Sequence, residues 1–201
     1  DALPILLIIC FSETVTASEK IVVQLKWINQ FQFAGYYAAL EKGFYKEAGL
    51  DVILWPNGYN GSFVSPVDAV VSGDAQFGIS NSGLVLDYLN GKPVVALAAT
   101  LQHSAVSWLV LEKSGIRSIH DMVNKRLMTV FPLSESLELL EPFRAEGIDP
   151  KKLNLTQTIF DLQPLIDGKI DAYDAYVTNE PFLLEQKGIP YRIIDPRTYG
   201  I

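Results

Sequence analysis

From residue 20 onward the chain alternates short apolar runs with stretches of helical periodicity, and this alternation restricts the fold more than any other feature. "KIVVQLKW" reads as a strand, "FAGYYAALEKGFYKEAG" as a helix closed by Gly49, and "LDVILWP" as a strand stopped by Pro56. "PVDAVVSG" reads as a helix with Pro66 in its first turn and Gly73 past its end. "AQFGISN" is then expected to be a strand, "SGLVLDYLNG" a helix, and "PVVALAATLQH" a long strand leaving this unit. A second series begins at "SWLVLEKSG" and runs through "SIHDMVNKRLMTV", "SESLELLEPFRAEG", "LNLTQTI", "LQPLIDG", "IDAYDAYV", "EPFLLEQKG" and "YRIID", again strand and helix by turns. Such alternation builds an α/β sheet of mostly parallel strands, because parallel neighbours need a crossover that is usually a helix.

The two series share one local pattern. "VVSGDAQFGISNS" and "LIDGKIDAYDAYV" both run from a helix end through Gly to an apolar strand, so Asn81 and Tyr176 occupy equivalent positions at strand carboxyl ends. Open α/β sheets place ligands at those ends. Short helix-Gly-strand units also recur in any α/β protein, and the match by itself leaves both readings open. Two units of one design joined through "VVALAATLQHSA" predict a cleft between them that closes on a small molecule by hinge motion.

Bulk properties narrow the function. With 49% hydrophobic and 19% charged residues among 201, the chain can bury a substantial core. Its formal charge is −7 and its 16 Lys and Arg form no run, which argues against nucleic-acid binding. One cysteine, Cys10, allows no internal disulfide, and His103 and His120 are too few for a zinc site, so no metal is expected. "LPILLIICF" is too short to span a membrane, which takes about 20 residues. With Val15 and Ala17 before a possible cut at Ser18, residues 1–17 read as a partial signal peptide lacking its cationic start, and export to the periplasm follows as an expectation. A buried N-terminal strand is the other reading of the same run.

The segments "WINQFQFAGYYAALEKGFYKEAGLDV", "SGDAQFGISNSG", "GKPVVALAATLQHS", "SGIRSIHDMVNKR" and "DGKIDAYDAYVTNEPFLLEQKGIPYRIIDPRTYGI" together resemble the bacterial solute-binding proteins related to thiamine-pyrimidine precursor binders and to the yeast pyrimidine synthases. The resemblance covers about residues 20 to 201. It implies a type II periplasmic binding protein fold: an α/β molecule of two lobes, with the ligand held between them. Residues 20–104 would form the first lobe, 105–193 the second and 194–201 the second crossover, with the chain truncated before the return segment of the first lobe. The partner would be an ABC transporter permease, for import of a thiamine pyrimidine precursor. The alternative is a covalently linked membrane signalling domain, the chain then being the sensor ectodomain of a histidine kinase or diguanylate cyclase.

A planar heteroaromatic ligand needs π-faces and edge partners. Trp27, Phe31, Phe33, Tyr37 and Tyr176 can offer the first, and Gln30, Asn81, Gln102, Asn179 and Glu180 the second. Each has an ordinary alternative: Trp27 as core or rim, one of Tyr36 and Tyr37 as core, Asn81 as a helix cap, Gln102 as hinge, Glu180 as a carboxylate opening a helix beside Pro181. Ala34 and Gly35 would permit close backbone approach to a ligand, or tight helix packing. Asp171 and Asp174 read as structural strand-end residues. The absence of Arg or Lys from the chosen cleft positions, with Glu180 among them, predicts a neutral or cationic ligand. The enzyme relatives carry a cysteine-rich iron motif and a histidine, whereas here Phe33 stands where that histidine tends to lie. No catalytic triad spacing or phosphate loop is present, so a non-enzymatic binder without cofactor is expected.

Overall fold

The computed structural model describes residues 18–58, 63–130 and 136–200. The expected signal segment, with Cys10, lies outside them. Among the described residues no helix is long and apolar enough to cross a membrane.

Two sheets organise the chain. In the first, β1 (Glu19–Gln24) lies between β2 (Leu50–Trp55) and β3 (Phe77–Gly78), all parallel. The crossover from β1 to β2 is helical, through α1 (Ala34–Glu41) and α2 (Phe44–Glu47), with Gly43 between them at φ 79°. The α3 helix (Pro66–Ser72) returns the chain to β3; Pro66 opens it and Gly73 ends it in the left-handed region, as the sequence predicts, and Ser65 caps it by accepting from the Asp68 N–H. Ile21, Val23, Leu25, Val52 and Leu54 form the core of this unit, since alternate strand residues share a face. The next helix is α4 (Leu84–Leu89).

The second sheet has the order β6-β5-β7-β4-β8. Its strands are β4 (Val106–Leu111), β5 (Arg126–Thr129), β6 (Asn154–Gln157), β7 (Ala172–Tyr176) and β8 (Tyr191–Ile194), connected in part by α5 (Leu137–Ala145), α6 (Gln163–Ile166) and α7 (Glu180–Gln186). Here β4 runs antiparallel to both β7 and β8, so the sheet is mixed. Every residue of β4 is buried, and all but Ser107 are apolar: one face packs with Trp108, Val110 and Phe143, the other with Leu109, Leu111 and Leu184.

Two expected strands are corrected. "AQFGISN" pairs only at Phe77–Gly78. "PVVALAATLQH" forms no ladder among the described residues; residues 92–99 carry no regular secondary structure, and Val95 and Leu97 stand 75% and 72% exposed. An apolar run specifies burial, not a pairing partner, and the described chain supplies no neighbouring strand for it.

Candidate functional site

The carboxyl ends of the parallel strands gather polar and aromatic residues, of which Trp27 and Tyr176 also pack against the cores. Lys26 and Trp27 follow β1, Asn57 follows β2, Val130 follows β5, Phe160 follows β6, and Asp174 with the 176–180 segment closes β7.

The first-sheet side is fixed by Asn57. Its backbone N–H donates to the Trp27 carbonyl at 2.9 Å, its Nδ2 donates to the carbonyls of Lys26 (3.3 Å) and Val64 (2.6 Å), and its Oδ1 accepts from the Val64 N–H at 2.9 Å. One buried amide thereby holds the chain after β1 against the ends of the loop that carries Phe63. Gly58 completes the support: at φ +77° a Cβ there would stand 2.9 Å from Phe63 Cζ, so only glycine lets that ring settle.

Phe160 comes from the second sheet. Its backbone φ is +56°, a region bulky residues rarely enter. Its N–H donates to Thr158 Oγ1 at 3.1 Å, and that hydroxyl donates to the Tyr173 hydroxyl at 3.2 Å, so the bend is tied to buried residues. Burial pushes the Tyr173 phenol up to about 12. The Phe160 ring meets Trp27 edge-on, with centroids 4.5 Å apart and planes at 67°. Phe63 lies 4.8 Å from Trp27 and 5.7 Å from Phe160, completing an aromatic cluster that joins the two sheets' ends.

Beside it are two carboxylates. Asp174 Oδ2 accepts from Thr129 Oγ1 at 2.8 Å, from the Val130 N–H at 3.3 Å and within 3.4 Å of Ser136 Oγ. Glu180 Oε2 accepts from the Tyr176 N–H and Oε1 from Asn179 Nδ2, both at 2.7 Å. Burial raises both acids above the usual carboxylate range, and the hydrogen bonds each accepts offset it only in part. The Glu180 charge adds to the rise at Asp174, while Lys26, following β1 of the other sheet, acts on Asp174 in the opposite sense.

The sequence candidates divide accordingly. Trp27, Tyr176, Asn179 and Glu180 lie at strand ends on this side. Phe33 does not line it: at 1% exposure it fills the first core with Leu25 and Leu54, because the turn at Phe31–Phe33 points its last ring inward. Phe31 is 75% exposed, and Gln30 Oε1 accepts from Gln32 Nε2 at 3.0 Å. Tyr37 packs on the first core and donates its hydroxyl to Asn29 Oδ1, while Tyr36 pairs with Thr100 Oγ1 at 2.9 Å. Asn81 Oδ1 accepts from the Gly83 N–H at 2.9 Å, a local turn ahead of α4. Gln102 is exposed and donates to the Ala99 carbonyl at 2.8 Å. Sequence reasoning missed Lys26, Phe63, Phe160 and Asp174. None of the positions chosen from the sequence is Arg or Lys, but Lys26, which directly precedes Trp27, acts electrostatically on Asp174. Asp171, by contrast, is structural: it pairs with Arg126 at 2.8 Å at the opposite end of β7. Among the described residues no group of His, Cys, Asp and Glu could hold a metal ion.

The sequence family described as NMT1/THI5 like matches residues 30–201. The chain belongs to this family. Two curated relatives of the NMT1/THI5-like chain are the riboflavin-binding protein RibY of Chloroflexus aurantiacus and the formylaminopyrimidine-binding protein of Halalkalibacterium halodurans. RibY is 22% identical, over 88% of this chain and 51% of its own length. The second is 26% identical, over 98% of this chain and 61% of its own. The chain thus spans between half and two thirds of the curated relatives it matches. Among solved structures it is similar to the periplasmic aliphatic sulphonate binding protein SsuA of Escherichia coli, with TM-score 0.62 and 17% identity, covering 90% of this chain and 57% of that one. The fold is therefore the α/β fold of periplasmic binding proteins, of which the chain forms part.

Proposed function

We propose that this chain is the major part of an extracytoplasmic solute-binding protein that holds a small, flat, nitrogen-containing ring compound between its two lobes for ABC import, without catalysis. What supports this reading is that Trp27, following β1, meets Phe160, following β6, while Lys26 next to Trp27 acts electrostatically on Asp174 of β7, whose carboxyl end leads to Asn179 and Glu180. Trp27 offers a face for stacking. Glu180 and Asn179 offer acceptors and a donor suited to the edge of an aminopyrimidine, and hydrogen bonds to a charged acceptor are worth about 1.5–3 kcal/mol.

Ligand charge follows from the same groups. Two half-buried carboxylates lie at this end of the second sheet and one lysine at that of the first, so with both acids ionised a sulfonate or phosphate meets net repulsion, whereas a neutral or protonated amino-heterocycle does not. The names of the relatives fit this choice: formylaminopyrimidine and riboflavin are both planar nitrogen heterocycles. Calorimetric titration with 4-amino-2-methylpyrimidine, riboflavin and taurine tests it. Binding of a heterocycle that weakens about 10-fold or more in Glu180→Gln is expected; tight taurine binding with no heterocycle binding would reverse the assignment.

A further inference from the structure

We infer that Phe160 is a ligand-stacking residue, the second plate of an aromatic clamp whose first plate is Trp27. This rests on the proposed heterocycle site and names a residue within it. The two rings come from different sheets and meet directly, at 4.5 Å between centroids. Phe63 borders both.

Three features separate this contact from ordinary core packing. Phe160 is 47% exposed and Phe63 48%, so neither ring is buried by the cores. Neither belongs to any of the hydrophobic clusters of buried residues around the two sheets. Phe160 is also held in a left-handed backbone conformation that a bulky residue adopts only when surrounding structure sustains it. Thr158 and Tyr173 sustain it through the hydrogen bonds that fix the bend. The bend aims a large apolar ring away from its own core and at the opposite lobe.

The edge-on contact leaves no room for a ligand between the rings. A planar ring sandwiched by two others needs about 7 Å between the outer planes, twice an aromatic contact distance. The rings must therefore part by roughly 2.5 Å and turn toward parallel when a ligand enters. Without ligand each ring covers part of the other; with ligand, each exchanges the other ring for the heterocycle. The clamp selects for thickness of one aromatic ring system and discriminates against bulky aliphatic solutes.

The test uses the full-length protein with 4-amino-2-methylpyrimidine and riboflavin as probes, read by calorimetry and by Trp fluorescence, in the parent protein and in Trp27→Ala, Phe160→Ala and Phe160→Gly. The expected result is quenching of emission by a probe, and a loss of affinity of about 5- to 10-fold in both Phe160 variants. Phe160→Gly also removes the backbone strain, so its Tm should equal or exceed that of the parent while affinity still falls; this separates binding from folding. If Trp27→Ala weakens binding and the Phe160 variants bind as well as the parent or more tightly, Phe160 is only a competitor for the site, and the clamp is wrong while the site stands. If neither probe binds the parent protein, the site reading fails and the clamp with it.

Discussion

Gly58 and Gly35 differ in what a methyl group would meet, and the difference sets opposite outcomes for the same substitution. Gly58→Ala combines a φ of +77° with a contact 2.9 Å from the Phe63 ring, so it should destabilise by about 1 kcal/mol or more and displace that ring. Gly35 lies within α1, and a Cβ there meets nothing within 4 Å. Gly35→Ala should therefore stabilise by about 0.5–1 kcal/mol, read from urea denaturation midpoints. A loss of ligand affinity in that variant would assign Gly35 the close approach its sequence position suggests. The buried acid Asp174 gives a pH-dependent outcome. Its folded pKa is raised above 3.8, so the protonated form is favoured in the fold, and its contribution to stability is complete below 3.8 and lost as pH rises through the folded value. Asp174→Asn keeps an oxygen for Thr129 and Val130 but cannot ionise. Calorimetric Tm should be close to the parent's near pH 4 and exceed it increasingly toward pH 7; a constant difference across that range would show that ionisation of Asp174 is not what burial opposes.

Strands and helices were legible wherever one local rule decided them, and not where a distant neighbour did. The Pro66…Gly73 frame of α3 was readable because helix start and stop signals act within a few residues. The direction of β4 was not, because its apolar run fits a buried strand of either sense and only its partners β7 and β8 fix it. The site divides in the same way. Trp27 and Glu180 could be picked out because they interrupt predicted elements at strand ends. Phe160 and Lys26 could not, because their significance lies in contacts to the opposite sheet, and Phe33 misled because an aromatic in a turn can point either way. Two substitutions test the element-level account. Trp108 in β4 is fully buried and donates Nε1–H to the Leu139 carbonyl at 3.2 Å, so Trp108→Phe leaves a void and removes that hydrogen bond and should cost about 2–4 kcal/mol by urea denaturation. Gly78→Ala would place its Cβ 2.8 Å from the Pro66 carbonyl oxygen, a backbone atom that cannot rotate away, and overpacking of this kind should cost about 1–3 kcal/mol. That cost would report on how closely β3 packs under the start of α3.

Across the whole molecule the two sheets differ in how much apolar surface they leave open. Both sheets have a buried cluster on each face, but after the first sheet Val95 (75%), Leu97 (72%), Leu89 (72%), Tyr88 (63%) and Val85 (61%) all stand exposed, on α4 and the segment following it. Patches on monomers are usually no larger than about 300–600 Å², and larger ones mark contacts. Burial of such side chains is worth about 1.5–3 kcal/mol each, enough to drive association when several are buried together. The 201-residue chain should therefore self-associate reversibly with increasing concentration and enhance the fluorescence of an apolar dye, and Val95→Lys combined with Leu97→Lys should reduce both effects in sedimentation and dye titrations. Because Trp27, Phe160 and Glu180 lie at the strand ends and not on this surface, the paired lysines should leave heterocycle affinity unchanged. A parent chain that stays monomeric and dye-free at high concentration would show that this surface is covered, and the residues following β3 would then have to pack differently in solution.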